Sequence, residues 1–145
     1  MATRPLKVSR PGEGPEVAVA GDHYRFLGAG ADTDRSYMIM EAEVPPGGGP
    51  PMHAHSREEE GFYVLHGEMT FEADGETVTA GPGTFLNLPK GSRHRFENRS
   101  GGPARMLILC APAGIEDMFR EADGKEPPEL MTIAARYGIT IFPPE

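Results

Sequence analysis

His53-Ala54-His55, the acidic run Glu58-Glu59-Glu60 and, further along the chain, His94 supply the donor atoms of a mononuclear metal site. Neutral imidazole nitrogen suits borderline divalent ions such as Fe, Mn, Co, Ni, Cu and Zn. One carboxylate lowers the net charge of such a site without filling its coordination sphere. Three imidazoles and one carboxylate would therefore hold one divalent transition metal ion and keep positions open for a substrate. The same donors accept several ions, so the residue types do not choose among them.

Side chains that must meet around one ion need rigid elements to aim them, and the pattern around them is that of strands. Residues two apart on a strand point to the same side, so His53 and His55 can both face inward while Met52 and Ala54 face away. By the same parity His94, Phe96 and Asn98 share one face, and the charged Arg93, Arg95 and Glu97 share the other. Between Ser36 and Val44, Met38, Met40, Ala42 and Val44 alternate with Glu41 and Glu43, a half-buried strand. Gly61 to Phe71 reads as one strand, followed by Asp74-Gly75, a hairpin signal because both central positions of the favoured turn take positive φ. Thr84 to Leu88, His94 to Asn98 and Arg105 to Cys110 add three short strands bounded by Gly, Pro and Ser. Evenly punctuated strands of this kind predict an all-β jelly-roll barrel. The tail has another period. Ile115, Met118, Phe119 and Ala122, then Leu130, Ile133, Ala134 and Tyr137, recur at helical spacing, with Gly124 and Gly138 placed to end two short amphipathic helices. Residues 1–145 are thus read as one domain, with a polar lead-in over 1–24, a barrel over 25–111 and a helical tail over 112–145.

The motifs that hold these donors resemble those of the cupin family. Gly47, His53, His55, Glu60 and Gly67 stand at the intervals of its first motif, and Gly83, Pro89, Gly91, His94 and Asn98 at those of its second. The spacer from Glu68 to Pro82 is fifteen residues, as in compact bacterial members. The likeness to quercetin-dioxygenase-like cupins extends to Tyr24-Arg-Phe-Leu27, the Val44 to Pro51 loop, Glu60 to Leu65 and Ala134 to Gly138. It implies a double-stranded β-helix in which His94 lies opposite His53 and His55. The permitted gap after His55 admits Glu59 or Glu60. The six residues back from Gly67, and a parity shared with Phe62 and Val64, select Glu60. Glu58 and Glu59 are then expected to face solvent, the usual fate of a charge run. The expected ligands are His53, His55, Glu60 and His94, with Glu60 also a proton acceptor, and Met38, Met40, Phe62 and Phe96 are expected to wall the substrate pocket. The resemblance implies a metal-dependent dioxygenase acting on a small oxygenated, aromatic-type molecule; a non-redox isomerase, epimerase or lyase and a ligand-binding protein without turnover are the alternatives.

Fourteen basic against twenty-two acidic residues give a net charge of −8 and a pI near 5.1, which repels phosphate backbones and anionic membranes. Nucleic acid and membrane are therefore not expected partners. No apolar stretch of signal or spanning length is seen, and the one cysteine, Cys110, suits a reducing compartment, so a cytoplasmic location is expected. Cys110 and the Met38/Met40 pair are read as barrel filling. His66 is read as a structural or surface histidine and His23 as an exposed one ahead of the first strand. Arg105 to Cys110 is apolar on both parities, which predicts a second covered side, under the C-terminal helices or a second subunit, and the resemblance to cupins, which commonly pair through their sheets, implies a homodimer.

Overall fold

In the computed structural model, which describes residues 4–144, the chain forms eleven strands and three short helices. The termini of the domain assigned above, residues 1–3 and 145, lie outside the described residues. The strands are β1 (Glu16–Val19), β2 (Asp22–Gly28), β3 (Met38–Val44), β4 (His53–His55), β5 (Glu59–His66), β6 (Met69–Ala73), β7 (Glu76–Ala80), β8 (Phe85–Leu88), β9 (His94–Glu97), β10 (Ala104–Ala111) and β11 (Ile139–Ile141). The helices are α1 (Gly30–Thr33), α2 (Ile115–Ala122) and α3 (Pro127–Arg136). All pairings are antiparallel, in two sheets ordered β1-β2-β3-β10-β5-β8 and β11-β4-β9-β6-β7. This is the expected jelly roll.

The period-two pattern sets which faces meet. Met38, Met40, Ala42 and Val44 of β3 are buried, as are Met106, Ile108 and Cys110 of β10 and Phe62 and Val64 of β5. Cross-strand register aligns them in rows, Met40 beside Ile108 and Ile108 beside Phe62. From the other sheet come Met69, Phe71 and Phe96, with Phe62 edge-on to Phe71 at 5.2 Å between ring centres. Asp74 and Gly75 both take positive φ and close the β6–β7 hairpin, as the dipeptide predicts.

Three expectations change. Gly61 to Phe71 is two strands in different sheets, broken at Gly67, whose φ is +76° and where a Cβ would lie 2.6 Å from the Pro103 carbonyl oxygen. Only glycine lets the chain cross between sheets there. The stretch read as lead-in contains β1 and the start of β2, and His23 is exposed but inside β2 rather than ahead of the strands. The inward row of β2 begins with Asp22 before Tyr24 and Phe26, and the buried acid hides the apolar alternation. His66 is at the surface, in keeping with its reading as a structural or surface histidine: its parity matches that of Glu60, but the β5–β10 register shifts between Val64 and His66 and turns it outward. The tail ends in a strand, β11, which pairs with β4. The two helices are as expected: α2 buries Ile115, Met118 and Ala122, α3 buries Ile133 and Ala134, and Phe119 packs its ring 4.8 Å from that of Tyr24. No helix among the described residues is long and apolar enough to cross a membrane.

Asp22 is buried beneath the Pro45–Gly49 loop. Its Oδ2 accepts a 3.4 Å hydrogen bond from Tyr24 Oη, while Oδ1 has no hydrogen-bond partner. Burial raises its pKa to about 6, and the Gly49 backbone, the Tyr24 hydroxyl and His23 offset only part of that. The native state therefore holds a proton that the unfolded chain releases above pH 4, and stability is lost as pH rises through 6. Removing the charge should recover about 2 to 3 kcal/mol at pH 7, the free energy of a two-unit shift. Asp22→Asn is expected to unfold at higher denaturant than the parent at pH 7 and at the same denaturant at pH 4. Equal midpoints at pH 7 would contradict this.

Candidate metal centre

The His-Ala-His strand β4 lies between β9 and β11, and its alternation sends both imidazoles into the barrel. Its antiparallel neighbour β9 sets His94 opposite His53. Glu60 arrives from the facing sheet, on β5, in a cross-strand row with Cys110 and Leu88. The four donors come within 4.8 Å of one another, and all four residues are buried. The ring centres of His53 lie 4.5 Å from His94 and 4.9 Å from His55. Glu60 Oε1 sits 2.9 Å from His94 Nε2 and 3.4 Å from His55 Nε2.

Each imidazole is held from behind. His53 Nδ1 lies 2.8 Å from the Pro51 carbonyl oxygen, His94 Nδ1 3.0 Å from the Ser92 carbonyl oxygen and His55 Nδ1 3.1 Å from Glu58 Oε1. A carbonyl or carboxylate oxygen can only accept, so each Nδ1 carries a hydrogen, and in the neutral ring, the form that ligates a metal, Nε2 then presents a lone pair. The three Nε2 atoms face a common point with Glu60, and His55 Nε2 is buried without a hydrogen-bond partner. Such an orphaned acceptor is costly unless something electropositive meets it. The donor set thus fits a divalent ion with nitrogen and oxygen ligands.

Electrostatics agree. Burial, reinforced by the neighbouring His94, lowers the His53 pKa to about 4, so this ring stays neutral and able to ligate at neutral pH. Burial pushes Glu60 upward, but its hydrogen bond with His94 and the electrostatic pull of His55 and His94 outweigh that and leave it below the ordinary carboxylate range. At His55 burial opposes charge, and the Glu58 hydrogen bond together with the Glu60 and Glu58 charges raises it overall.

Comparison with known proteins settles the family. The Cupin domain family matches residues 40–110. Over 103 residues the chain is 31% identical to the tetracenomycin polyketide synthase protein TcmJ of Streptomyces glaucescens, covering 71% of this chain and 69% of that protein. This chain belongs to the cupin family. It is also 30% identical over 113 residues to quercetin 2,3-dioxygenase of Bacillus subtilis, covering 78% of this cupin but only a third of the length of that enzyme. The polyketide cyclase RemF from Streptomyces resistomycificus superposes with a TM-score of 0.65 at 26% identity, over 74% of this cupin and 80% of that chain.

The motif residues outside the cluster have structural duties in this cupin. Asn98 is fully buried; its Nδ2 donates to the Val44 and Gly102 carbonyls, and its backbone pairs with Gly47 and Gly48, which ties the loop before β4 to the end of β9. Gly91 N–H donates to the His55 carbonyl at 2.8 Å, so the second motif holds the backbone of the first. Of the acidic run, Glu59 is exposed as expected and accepts from Asn87 Nδ2 and Lys90 N–H. Glu58 is not exposed. It is 4% accessible and bonded to His55, because it shares inward parity with Glu60 and Phe62. That parity is legible in the sequence, although a run of three carboxylates by itself points to solvent.

The residues expected to wall a pocket flank the cluster. Met38 lies in the cross-strand row of Cys110 and Glu60, Met40 in the next row with Ile108 and Phe62. The Phe62 ring centre is 6.5 Å from that of His94, and Phe96 is 5.9 Å from Phe62. Cys110, read as filling, also has its Sγ 3.8 Å from Glu60 Oε2, so the thiol occupies one carboxylate oxygen while the other faces the imidazoles. Burial and then the Glu60 charge hold that thiol well above its ordinary pKa, so it stays protonated and can donate.

Proposed function

We propose that this cupin is a mononuclear metal-dependent dioxygenase for a small oxygenated aromatic molecule, with His53, His55, Glu60 and His94 as ligands. The observation that carries the reading is the convergence of three Nε2 lone pairs on one carboxylate, each ring locked from its Nδ1 side. A bound divalent ion with open positions would supply Lewis acidity and, for a redox-active metal, electron transfer between a ligating substrate oxygen and dioxygen. The chain's own residues do the rest. Glu60 serves as ligand and as proton acceptor, with Oε2 held by the Cys110 thiol so that Oε1 stays directed at the centre. Met38, Met40, Phe62 and Phe96 exclude water and favour a flat apolar molecule over a sugar.

The likeness to the TcmJ protein and to the RemF cyclase, both from polyketide systems by their names, favours a second reading with the same substrate class. There the ion acts on a substrate carbonyl or phenolate as a Lewis acid without dioxygen. Fold alone does not choose between the two chemistries. The deciding experiment loads metal-stripped protein with Fe(II), Mn(II), Co(II), Ni(II), Cu(II) or Zn(II) and offers flavonol, catechol and polyketide-type phenols with and without oxygen. Substrate loss that needs both oxygen and metal is the expected result. Turnover unchanged in anaerobic buffer would transfer the assignment to the Lewis-acid reading, and saturable binding without product to a ligand-binding protein.

We also propose that the protein works as a homodimer. On the outer face of the six-stranded sheet Leu109 is 37%, Tyr63 42% and Phe85 62% exposed, with Leu107 and Ile39 beside them in register. A contiguous apolar surface of this kind is uncommon on a monomer. Light scattering at micromolar concentration should give twice the 15.7 kDa chain mass, and Phe85→Glu should return it to one. A parent protein of single-chain mass would refute the dimer.

A further inference from the structure

We infer that Glu58 is a positioning residue of the metal centre, holding His55 in the tautomer and rotation that present Nε2 to the ion and making that nitrogen a stronger donor. The inference rests on the metal-binding reading above.

Three observations carry it. First, Glu58 is placed, not incidental: it precedes β5 by one residue, shares inward parity with Glu60, and keeps only 4% of its surface exposed. A carboxylate withdrawn from water to that degree is destabilised unless a specific partner offsets the lost hydration. Its Oε1 accepts from His55 Nδ1 at 3.1 Å, and that ring is itself buried. Second, the three histidines are not supported alike. His53 and His94 each lean on a neutral main-chain carbonyl two residues earlier in the chain, which strand geometry provides at no cost in side chains. His55 alone leans on an ionisable side chain. Third, the nitrogen that this bond aims, His55 Nε2, is buried without a hydrogen-bond partner and stands 3.4 Å from Glu60 Oε1. The bond therefore aims an atom that an ion in the cluster would satisfy. A carboxylate behind a ligating imidazole fixes its tautomer and raises its basicity more than a carbonyl does. This cupin thus commits two carboxylates to the site, one facing the ion and one behind a ligand.

The test is a Co(II) titration of the metal-stripped full chain, read through affinity and the visible bands of the bound ion. It is run on the parent, Glu58→Gln, Glu58→Ala and, as reference, His55→Ala. The amide of Gln can still accept from Nδ1 but carries no charge, whereas Ala removes both. Glu58→Ala is expected to weaken Co(II) binding about 10- to 100-fold and to shift the visible bands, with Glu58→Gln losing about 10-fold. The 15N spectrum of metal-free Glu58→Ala should show His55 as a mixture of tautomers in place of the parent's single Nδ1–H form. If Glu58→Ala fails to fold by circular dichroism, Glu58→Gln, which keeps the shape, decides alone. Variants that bind Co(II) within twofold of the parent, with unshifted bands, would overturn the role of Glu58 and leave the centre standing. A parent that binds no Co(II) would overturn the metal reading and this inference together.

Discussion

His94→Ala should bind a divalent ion more than about 100-fold more weakly than the parent, beyond the range of changes behind a ligand, while its strand content is retained. The imidazole sits on β9 facing His53, where its Nε2 closes the cluster against Glu60 at 2.9 Å. Alanine removes that donor and leaves Glu60 Oε1 without its nearest partner, so both nitrogen ligation and the placement of the carboxylate suffer. The core is less affected: Phe62, Phe71 and Phe96 still pack on one another at 5.2 to 6.3 Å. His53→Ala and His55→Ala should behave alike, and Glu60→Gln should weaken the site while Glu59→Gln, on a side chain bonded to Asn87 and Lys90 at the surface, should not. Elemental analysis of purified variants, beside circular dichroism, checks the set. Full occupancy in the His94→Ala protein would remove His94 from the ligands, and damage from Glu59→Gln in place of Glu60→Gln would reassign the carboxylate.

The second large effect is expected far from any ligand side chain. β4 is only three residues long, and β11 supplies one of its two flanks: Ser56 N–H donates to the Gly138 carbonyl and Phe142 N–H to the Met52 carbonyl, with Thr140 opposite Ala54 between them. Antiparallel ladders alternate, so Thr140 and Ala54 form the hydrogen-bonded pair at the centre of this short ladder. Thr140 is exposed, and its side chain is free to change without touching the core. Thr140→Pro removes the central donor and inserts a ring where β4 approaches, so the ladder loses its middle hydrogen bond. Because β11 backs both histidines, metal affinity should fall at least about 10-fold, comparable to losing a direct support of a ligand. Thr140→Val, which keeps the donor and favours the strand, should match the parent. Unchanged Co(II) affinity in a folded Thr140→Pro protein would show that β9 alone suffices to hold β4.

How much of this was legible in the chain depends on whether the deciding interaction is local. Strand parity is local, and together with the spacing of the cupin motifs it picks out His53, His55, Glu60 and His94; the structure brings these four together. The Asp74-Gly75 turn and the two tail helices were legible for the same reason, since each is set by residues within one turn of itself. Other features required partners distant in sequence. Ile139-Thr140-Ile141 is too short to announce a strand, and becomes one only because the edge of β4 lies open beside the end of α3. Asp22 is polar yet inward, so β2 begins where composition suggests a loose lead-in, and its pairing with β3 and the Gly48–Gly49 loop above it are what bury it. Glu58 is a different case, since its partner His55 is only three residues away, yet it looks like one member of a solvated charge run until the barrel wall buries the pair. Hydropathy counts a carboxylate as a surface group because an unpaired charge pays its full hydration on burial. A buried partner can offset that penalty, and the burial that brings the two together exists only once the chain has folded.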